Sequence, residues 1–600
     1  MRLSGLAEGD VTIEVKKPET LVILAFLGLL LFMEMQVSFA TPISFGDEGF
    51  HTRMAQWIGQ NAEYPVWTPF TQSLAGKAGF DRPPFWNILE AGFFWLFGFH
   101  EAIPKIITPF VSVMGGLALY LGAKRFYGER IGFMAAVLLV TFPSVVTYAL
   151  VFYTDALVTF FMAMFLLTLA IAFTSGRKLH MFVAGTFGAL TLMTKVVGYT
   201  AYALVAIILL YELVRNRKPF ELLVKYWPML LMMALIPSTH MLRNYVYYGT
   251  PVCYDLPLFS NVFSTSGCSV ADYKSTYQYA GRTEEVGTEA SVFSMGITNY
   301  LDFAYGNLWF VMLAFFAGLI IITDAVRTAW SQKGGAVAGD ALFDVALLAM
   351  LALYAALFLS GMITPRAEDT ARFSLIWAPV VALVAAKYLD AAYEFVKRLG
   401  VNLPSVAIAA VLVLFSSYVT YALFGMAVTM ILVVAAIAVI ALTKNPALSI
   451  IIIILAVGFA GGTIKLGTMY QVKQFSSLFF EACDWVSANA PQNAVLSTVW
   501  TYRAAYSCQR NVVGSDPDMA LSNNVTHILS TAKRIGVTHI FVQKFSLSDQ
   551  SLSEKYPVSY VRLLEANPDY FKKVYENGPS LEQCIQQGGC DGNIVYEIVY

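Results

Sequence analysis

The sequence predicts a polytopic α-helical membrane protein with a soluble α/β domain at its C-terminal end. Of the 600 residues, 57% are hydrophobic and only 13% are charged, and the mean hydropathy is +0.62. Soluble globular proteins are far less apolar. Apolar runs long enough to cross a bilayer recur up to about residue 464, and beyond it charged residues, proline and asparagine become frequent. The chain is therefore expected to have two parts.

The charge balance excludes some classes of partner. The chain has 39 basic and 40 acidic side chains, which gives a net charge of -1. A nucleic-acid-binding protein or a polybasic membrane anchor would show an excess of positive charge. We therefore expect no nucleic acid partner.

The apolar runs predict about thirteen membrane spans. The first run has spanning length and lacks the short apolar core and small-residue cleavage pattern of a secretory signal, so we expect it to be a retained span. The predicted spans lie near residues 21–40, 104–123, 131–150, 156–174, 179–197, 199–214, 225–241, 300–323, 341–362, 373–389, 404–422, 424–442 and 447–464.

One short apolar piece, residues 83–99, decides the topology. If it lies at the membrane interface, the basic clusters between spans all fall on the side of the N-terminus, as the positive-inside rule requires. If it crosses, the first three of those clusters move outside. The interfacial interpretation puts the N-terminus inside and the C-terminal domain outside. The predicted location is the plasma (cell) membrane, with the lumen of the endoplasmic reticulum as the less favoured alternative.

The predicted domains are a transmembrane domain, residues 1–464, with a first outer loop at 41–103, and an extracytoplasmic α/β domain, residues 465–600. Within the second domain, the sequence predicts a helix at 478–491, a strand at 493–499, a helix, glycine stop and strand at 528–544, and a closing strand at 593–600.

All six cysteines fall on the predicted outer side, where disulfides are stable. Pairing by proximity gives three bridges, although free buried thiols remain an alternative for the last four cysteines and the sequence does not fix the pairing. The expected bridges are Cys253–Cys268, Cys483–Cys508 and Cys584–Cys590.

Two adjacent acids, Asp47 and Glu48, follow the first span directly. An aspartate here could cap the next helix, and that explanation stays open for one of the two. Further ionisable residues lie on the same predicted outer edge: Arg82, Asp155, Arg243 and Arg372. Each alone could be an interfacial anchor, because long basic side chains reach the interface. Together they favour a shared polar site.

Such a site suits transfer of a sugar from a lipid phosphate. A carboxylate can accept the proton of an incoming hydroxyl, while guanidinium groups neutralise phosphate oxygens. The leaving group is already a stable phosphate anion, so charge stabilisation can replace a general acid.

Five segments resemble, in order and spacing, the GT-C superfamily of membrane glycosyltransferases, especially the enzymes related to protein O-mannosyltransferases and lipid A aminoarabinose transferases. The similarity covers roughly the first 390 residues. Its segments are "DEGFHTRMAQWI", "RPPFWNILEAGFFWLFG", "YTDALVTFF", "LRNYVYYGTPV" and "RFSLIWAPVVALVAA".

The resemblance implies a GT-C fold, a polyprenyl- or dolichyl-phosphate sugar donor, an outward-facing site and inversion at the anomeric carbon. It maps the catalytic base onto Asp47, beside Glu48 and with Asp155 as a further acid of the site. It places Arg82 and Arg372 near the donor phosphate and matches Arg243 to an Arg-Asn-Tyr element of the superfamily. We predict that Arg243 and Lys195 also bind the donor phosphate, although Lys195 could instead be an interfacial anchor.

Some members of this superfamily hold a divalent metal ion. The candidate ligands here are Glu48, His51 and His240, although a lone histidine on a helix is more often structural. The acceptor that the resemblance implies is a protein, a lipid or a glycan. The C-terminal domain shows no MIR-type repeat and no Trp-Trp-Asp motif, which favours transfer of a single sugar over transfer of a whole oligosaccharide to asparagine.

Two other functions remain open from the sequence. A membrane transporter or lipid-linked sugar flippase would also need many spans, but the sequence shows neither the repeats nor the broken helices of transporters clearly. A non-catalytic scaffold of the cell envelope would use the acids as helix caps and bind its partners through the C-terminal domain.

Overall fold

A computed structural model gives the structure of most of the chain. It describes residues 18–43, 47–73, 76–79, 82–216, 219–249, 375–398, 476–514, 522–548, 556–587 and 590–600, and the short pieces 251, 347, 465–467, 469–470, 473 and 519. The chain divides into two compact units. The first comprises residues 1–40, 105–239 and 290–471, and the second comprises residues 41–104, 240–289 and 472–600.

The described α-helices, in chain order, are α1 Pro18–Ala40, α2 Glu48–Asn61, α3 Phe85–Phe97, α4 Ala102–Tyr127, α5 Glu129–Thr141, α6 Pro143–Ala149, α7 Thr154–Ser175, α8 Lys178–Thr194, α9 Tyr199–Asn216, α10 Pro219–Tyr248, α11 Ala378–Arg398, α12 Ser477–Asn489, α13 Thr501–Ser507, α14 Val525–Ile535, α15 Val558–Glu565 and α16 Leu581–Gln586. The described strands are β1 Trp67–Ser73, β2 Gly76–Gly79, β3 Val495–Thr498, β4 Asn511–Gly514, β5 His539–Gln543, β6 Leu547–Ser548, β7 Tyr556–Pro557, β8 Phe571–Asn577 and β9 Asn593–Ile598.

The structure has the apolar helices of a multi-pass membrane protein. Within the described residues, five helices are long and apolar enough to cross a membrane: Thr20–Ala40, Ala102–Tyr127, Thr154–Ser175, Val196–Val214 and Pro219–Tyr248. Helix α3 is apolar but has only 13 residues, too few for the roughly 20 that a crossing needs. The predicted spans at 300–323, 404–422, 424–442 and 447–464 lie outside the described residues, as does 341–362 except for residue 347.

The span predicted at residues 131–150 is not one continuous helix. Helix α5 ends at Thr141, and Phe142 has an extended backbone with φ -61° and ψ 124° before α6 begins at Pro143. A proline disfavours helical geometry in the residue before it, which explains the break. The span predicted at residues 225–241 is instead part of a longer helix, because α10 continues through two internal prolines.

Close helix packing holds the first unit together. Helix α7 packs along α8, and α5 packs on α11, where Arg130 forms an ion pair with Asp390. Helix α8 approaches α10 so closely that a Cβ on Gly185 would collide with the backbone of Met229. A residue larger than glycine at this position would force the two helices apart.

The second unit is built on a seven-stranded mixed sheet with the order β2-β1-β4-β3-β5-β9-β8. Strands β1, β4, β3 and β5 are parallel neighbours, while β2, β9 and β8 pair antiparallel to theirs. Thr71 of β1 lies opposite Val512 of β4. The segment after α1 therefore shares one sheet with the C-terminal part of the chain.

Hydrophobic side chains cover both faces of this sheet. One cluster joins Phe50 of α2, Phe70 of β1 and Phe94 of α3 to residues of the C-terminal part such as Phe479 and Phe541. A second cluster packs α14, α15 and α16 on the opposite side. Each buried aromatic side chain stabilises the fold by about 1.5–3 kcal/mol relative to an exposed one. Helices α2 and α3 are thus held by the same core as the C-terminal strands.

The elements predicted from local patterns are found at the C-terminal end. Helix α12 begins after Ser476, whose hydroxyl accepts a hydrogen bond from the amide of Leu478, and α14 ends at Gly536. Strands β3, β5 and β9 fall within the predicted strand segments. The disulfides Cys483–Cys508 and Cys584–Cys590 are confirmed, whereas Cys253 and Cys268 lie outside the described residues.

Candidate functional site

The acid pair lies at the start of α2. Asp47 occupies the N-cap position, and its carbonyl oxygen accepts a hydrogen bond of 3.0 Å from the amide of His51. Among the described residues, however, no first-turn amide donates to the Asp47 side chain. The carboxylate instead faces Arg82, with Oδ2 3.7 Å from Nη1. The cap position is filled without using the carboxylate.

The Asp47–Arg82 pair is partly open to water. The side chains are 26% and 36% exposed, respectively. The Arg82 guanidinium lies over the Phe50 ring, 4.3 Å from its centroid, and the Arg82 carbonyl accepts a 2.9 Å hydrogen bond from the hydroxyl of Tyr64. The backbone and ring contacts position Arg82, while its charge stays accessible to a ligand.

Glu48 has a different environment from its neighbour. Its side chain is fully buried, and Oε1 lies 2.7 Å from Nζ of Lys473, which is itself buried. Thr52 Oγ1 donates a 2.9 Å hydrogen bond to the Glu48 carbonyl. A carboxylate is retained in such a dry place only when a partner neutralises it. Lys473 is that partner.

Arg243 binds the loop that follows α2. Its Nη2 donates a 2.5 Å hydrogen bond to the carbonyl of Pro65, and its guanidinium carbon lies 4.8–5.8 Å from three tyrosine ring centroids, those of Tyr64, Tyr247 and Tyr248. Because Tyr64 also donates to the backbone of Arg82, one tyrosine touches both predicted phosphate ligands.

The three predicted metal ligands do not form a metal site. His51 Nδ1 lies 3.0 Å from Asn87 Oδ1, His240 Nε2 lies 3.3 Å from Asn244 Nδ2, and Glu48 is paired with Lys473. No group of three His, Cys, Asp or Glu side chains that could hold a metal ion occurs among the described residues. Around Glu48, His51 and His240 the described residues thus form no cluster of three such side chains.

A second acid–base pair lies in the first unit. Asp155 in the first turn of α7 is fully buried, and its Oδ1 lies 2.5 Å from Nζ of Lys195, the residue that ends α8. The pair forms because the N-terminal end of α7 lies next to the C-terminal end of α8, on which α7 packs. Arg372 lies outside the described residues, and no position relative to the other candidates is assigned to it.

The structure adds buried polar residues that the sequence analysis missed. Asn87 and Glu90 lie three positions apart on the buried face of α3, a spacing in an apolar helix that could have drawn attention to them. Burial raises the pKa of the Glu90 carboxyl well above its usual range. Neither of its oxygens has a hydrogen-bond partner in the described part of the chain.

Tyr506 on α13 interacts with several carboxylates of the second unit. The Tyr506 hydroxyl donates a 2.8 Å hydrogen bond to Glu101. Burial, and then the carboxylates of Glu101, Glu90 and Glu48, raise the pKa of the Tyr506 phenol well above its ordinary value. Carboxylates of α2 and α3 thus act on the Tyr506 phenol, although the packing between α2, α3 and α13 is hydrophobic.

Part of the chain matches a known protein family. The profile of the dolichyl-phosphate-mannose-protein mannosyltransferase family matches residues 81–242. This stretch includes Arg82, Asp155 and Lys195. No curated protein is significantly similar to the chain in sequence.

Solved structures share the fold over nearly the whole chain. ArnT from Cupriavidus metallidurans, bound to undecaprenyl phosphate, is 13% identical with a TM-score of 0.59, and the alignment covers 97% of this chain and 98% of ArnT.

A second similar structure is the oligosaccharyltransferase AglB from Archaeoglobus fulgidus in complex with an inhibitory peptide and a dolichol-phosphate. It is 12% identical with a TM-score of 0.51, over 96% of this chain and 74% of AglB. The predicted resemblance to GT-C glycosyltransferases is confirmed, and the chain has the fold of these membrane proteins.

Proposed function

We propose that this protein is a membrane glycosyltransferase that moves a single sugar from a polyprenyl- or dolichyl-phosphate donor to an acceptor hydroxyl or a similar nucleophile. The observation that carries the proposal is the Asp47–Arg82 pair, a carboxylate and a guanidinium 3.7 Å apart and both partly exposed. The pair lies at the start of α2, a helix that is packed in the hydrophobic core of the second unit. The GT-C fold and the family match support it.

The proposed chemistry is a direct displacement. The Asp47 carboxylate accepts the proton of the acceptor hydroxyl, and the resulting oxygen nucleophile attacks the anomeric carbon. A new glycosidic C–O bond forms as the bond from the anomeric carbon to the phosphate oxygen breaks, with inversion. The lipid phosphate leaves as an anion, and Arg82 neutralises its developing charge.

The other candidate residues support this reaction in different ways. Lys195 and Arg372 are proposed to bind the donor phosphate, and Asp155 orients Lys195 through its 2.5 Å contact. Arg243 holds the Pro65 carbonyl and has further N–H groups with which to bind a phosphate. We propose that the active site faces the outer side of the plasma membrane.

The donor identity and the role of Asp47 can be tested in one assay. The purified protein in lipid is supplied with polyprenyl-phosphate-linked mannose, glucose or aminoarabinose and a mixed acceptor extract. We expect one donor to give product, and Asp47→Asn to lower turnover by about 10²–10⁴-fold, the usual contribution of a general base. Unchanged expression and thermal stability would show that the variant is folded.

A matched control is Glu63→Gln, which changes an exposed acid of the same unit and is expected to leave turnover unchanged. Wild-type turnover in Asp47→Asn would remove Asp47 from the proposed role. No product from any donor, with labelled donor nevertheless crossing the bilayer, would favour a flippase.

A further inference from the structure

Residues of the C-terminal part of the chain contact the start of α2. Glu48 pairs with Lys473 at 2.7 Å, across 425 positions of sequence. Phe50 meets the ring of Tyr502 on α13, with 4.8 Å between centroids. One turn later, Arg53 donates a hydrogen bond to the side chain of Gln509. Three residues in the first two turns of α2 thus contact Lys473, Tyr502 and Gln509.

The fit between α2 and α13 leaves no spare room. A Cβ on Gly49 would lie 2.6 Å from the carbonyl oxygen of Tyr502 and 3.1 Å from Cβ of Tyr506. Only glycine lets the two helices approach so closely. The residue next to Glu48 is therefore pressed directly against the C-terminal part of the chain.

These contacts give the two adjacent acids, Asp47 and Glu48, different roles. Glu48 is buried and neutralised by an equally buried ammonium group, so it is shielded from an incoming substrate. Asp47, one residue earlier, is partly exposed beside Arg82. The first acid can react with a ligand, and the second fixes the backbone from which the first projects.

We propose that Lys473 is a positioning residue for sugar transfer: its contact with Glu48 fixes the start of α2 and thereby the place of the Asp47 carboxylate. The proposal rests on the proposed function, in which Asp47 is the base. It gives the C-terminal part of the chain a direct role in the reaction. Removing the ammonium group would take away the positive charge that lies 2.7 Å from the Glu48 carboxylate, and the start of α2 would be less firmly held.

The first test is kinetic and uses the full-length protein in lipid. We expect Lys473→Met to lower kcat by about ten- to hundredfold, because displacing a reacting group by as little as 1 Å has an effect of this order. The KM for the donor should stay unchanged, since the phosphate ligands are intact. Lys473→Arg, which keeps the charge, should retain most of the turnover.

The matched control is Lys544→Met. Lys544 is also fully buried and pairs with Glu576 at 2.7 Å in the same unit, but it does not belong to the group of contacts around α2. It reports the general effect of losing a buried ammonium group that pairs with a carboxylate, here the partly exposed Glu576. A kcat loss in folded Lys544→Met as large as that in Lys473→Met would overturn the positioning role.

A double variant tests whether Lys473 acts through Glu48. Glu48→Gln combined with Lys473→Met removes both charges of the contact. If Lys473 acts only by holding Glu48, the double variant should lose no more turnover than Lys473→Met alone, because the contact is already absent. A double variant much less active than either single variant would overturn the proposal, because the two residues would then act independently.

Hydrogen exchange tests the same contact without sugar transfer. Lys473→Met should increase amide exchange over residues 48–54 relative to the wild type, and Lys544→Met should not. If the wild type transfers no sugar, the proposed function fails while the exchange result still decides whether Lys473 fixes α2. Unchanged exchange in Lys473→Met would refute the contact's effect on the helix.

Discussion

Two acid–base pairs lie at helix starts in different units, and they differ in their access to water. At α2, Asp47 and Arg82 are partly exposed and 3.7 Å apart. At α7, Asp155 is fully buried and 2.5 Å from Lys195. Water screens the first pair and leaves its groups able to exchange partners, whereas the second is held in one arrangement by its dry surroundings. A carboxylate paired with a cation therefore suits a reacting group in one place and, in the other, a proposed phosphate ligand that is held in a fixed position.

The first prediction concerns the stability of these two pairs and has the largest expected effect. Asp155→Asn should lower the free energy of unfolding by about 3–5 kcal/mol, because it removes the buried carboxylate that lies 2.5 Å from the largely buried Lys195 ammonium group. Asp47→Asn should cost less than about 1 kcal/mol, as expected for an exposed pair. Denaturant unfolding of the purified protein in mixed micelles measures both.

The combined variant Asp155→Asn with Lys195→Met serves as the control for the buried pair, and it should recover part of the loss. Equal losses in Asp155→Asn and Asp47→Asn would show that the two pairs do not differ as their burial indicates.

The second prediction compares the two disulfides. Cys483–Cys508 closes 25 residues and joins α12 to the end of α13, whereas Cys584–Cys590 closes only 6. The chain-entropy relation gives about 3.5 and about 2 kcal/mol for loops of these lengths. Replacing the first pair of cysteines by alanine should therefore destabilise the protein more, as measured by thermal unfolding.

Activity adds a sharper distinction between the disulfides. Loss of Cys483–Cys508 should also lower kcat, because α13 contacts α2 directly through Tyr502. Loss of Cys584–Cys590 should leave the kcat of the folded protein unchanged. The reverse order would contradict the role given to α13.

The third prediction, with the smallest effect, concerns the pH dependence of stability. Burial raises the pKa of Glu90 above its value in the unfolded chain. The folded state therefore binds the proton more tightly, and the stabilisation is fully present below the unfolded pKa of about 4.3 and lost as the pH rises through the folded pKa. The slope in that window is about 1.4 kcal/mol per pH unit.

Glu90→Gln should flatten this dependence, and the measurement is the free energy of unfolding of both proteins between pH 4 and pH 8. Glu582→Gln, which changes an exposed acid of the same unit, is the control and should leave the slope as it is in the wild type. An unaltered slope in Glu90→Gln would show that another group causes it.

Local patterns predict much of this fold. The apolar runs locate α1, α4, α7, α9 and α10, and the proline stop and serine cap bound α12, because these signals act within a few residues. The apolar run at 131–150 predicts one continuous span, although Pro143 is a sequence signal for the helix break at Phe142. Strand β2, "GKAG", has almost no strand propensity and forms by pairing with β1, so no local pattern could have revealed it.

The candidate site was only partly accessible to sequence reasoning. Asp47, Arg82 and Asp155 stand out as charges next to apolar runs. Lys473 does not, because its partner is 425 positions away and pairing over such distances leaves no periodic trace. The expected trio Glu48, His51 and His240 consists of suitable residue types, but nearby lysine and amide groups occupy Glu48 and His51 in the folded chain.

The parallel pairing of β1 with β4 has a consequence for biosynthesis. The ribosome makes Thr71 long before Val512, its partner in the sheet, so β1 has no parallel neighbour while the residues between them are being made. The start of α2 likewise lacks its contacts with Lys473 and Tyr502 until those residues have been made. A chain halted before these residues would contain membrane helices but an incomplete site, and the proposed enzyme would become active only after the residues that contact α2 have folded.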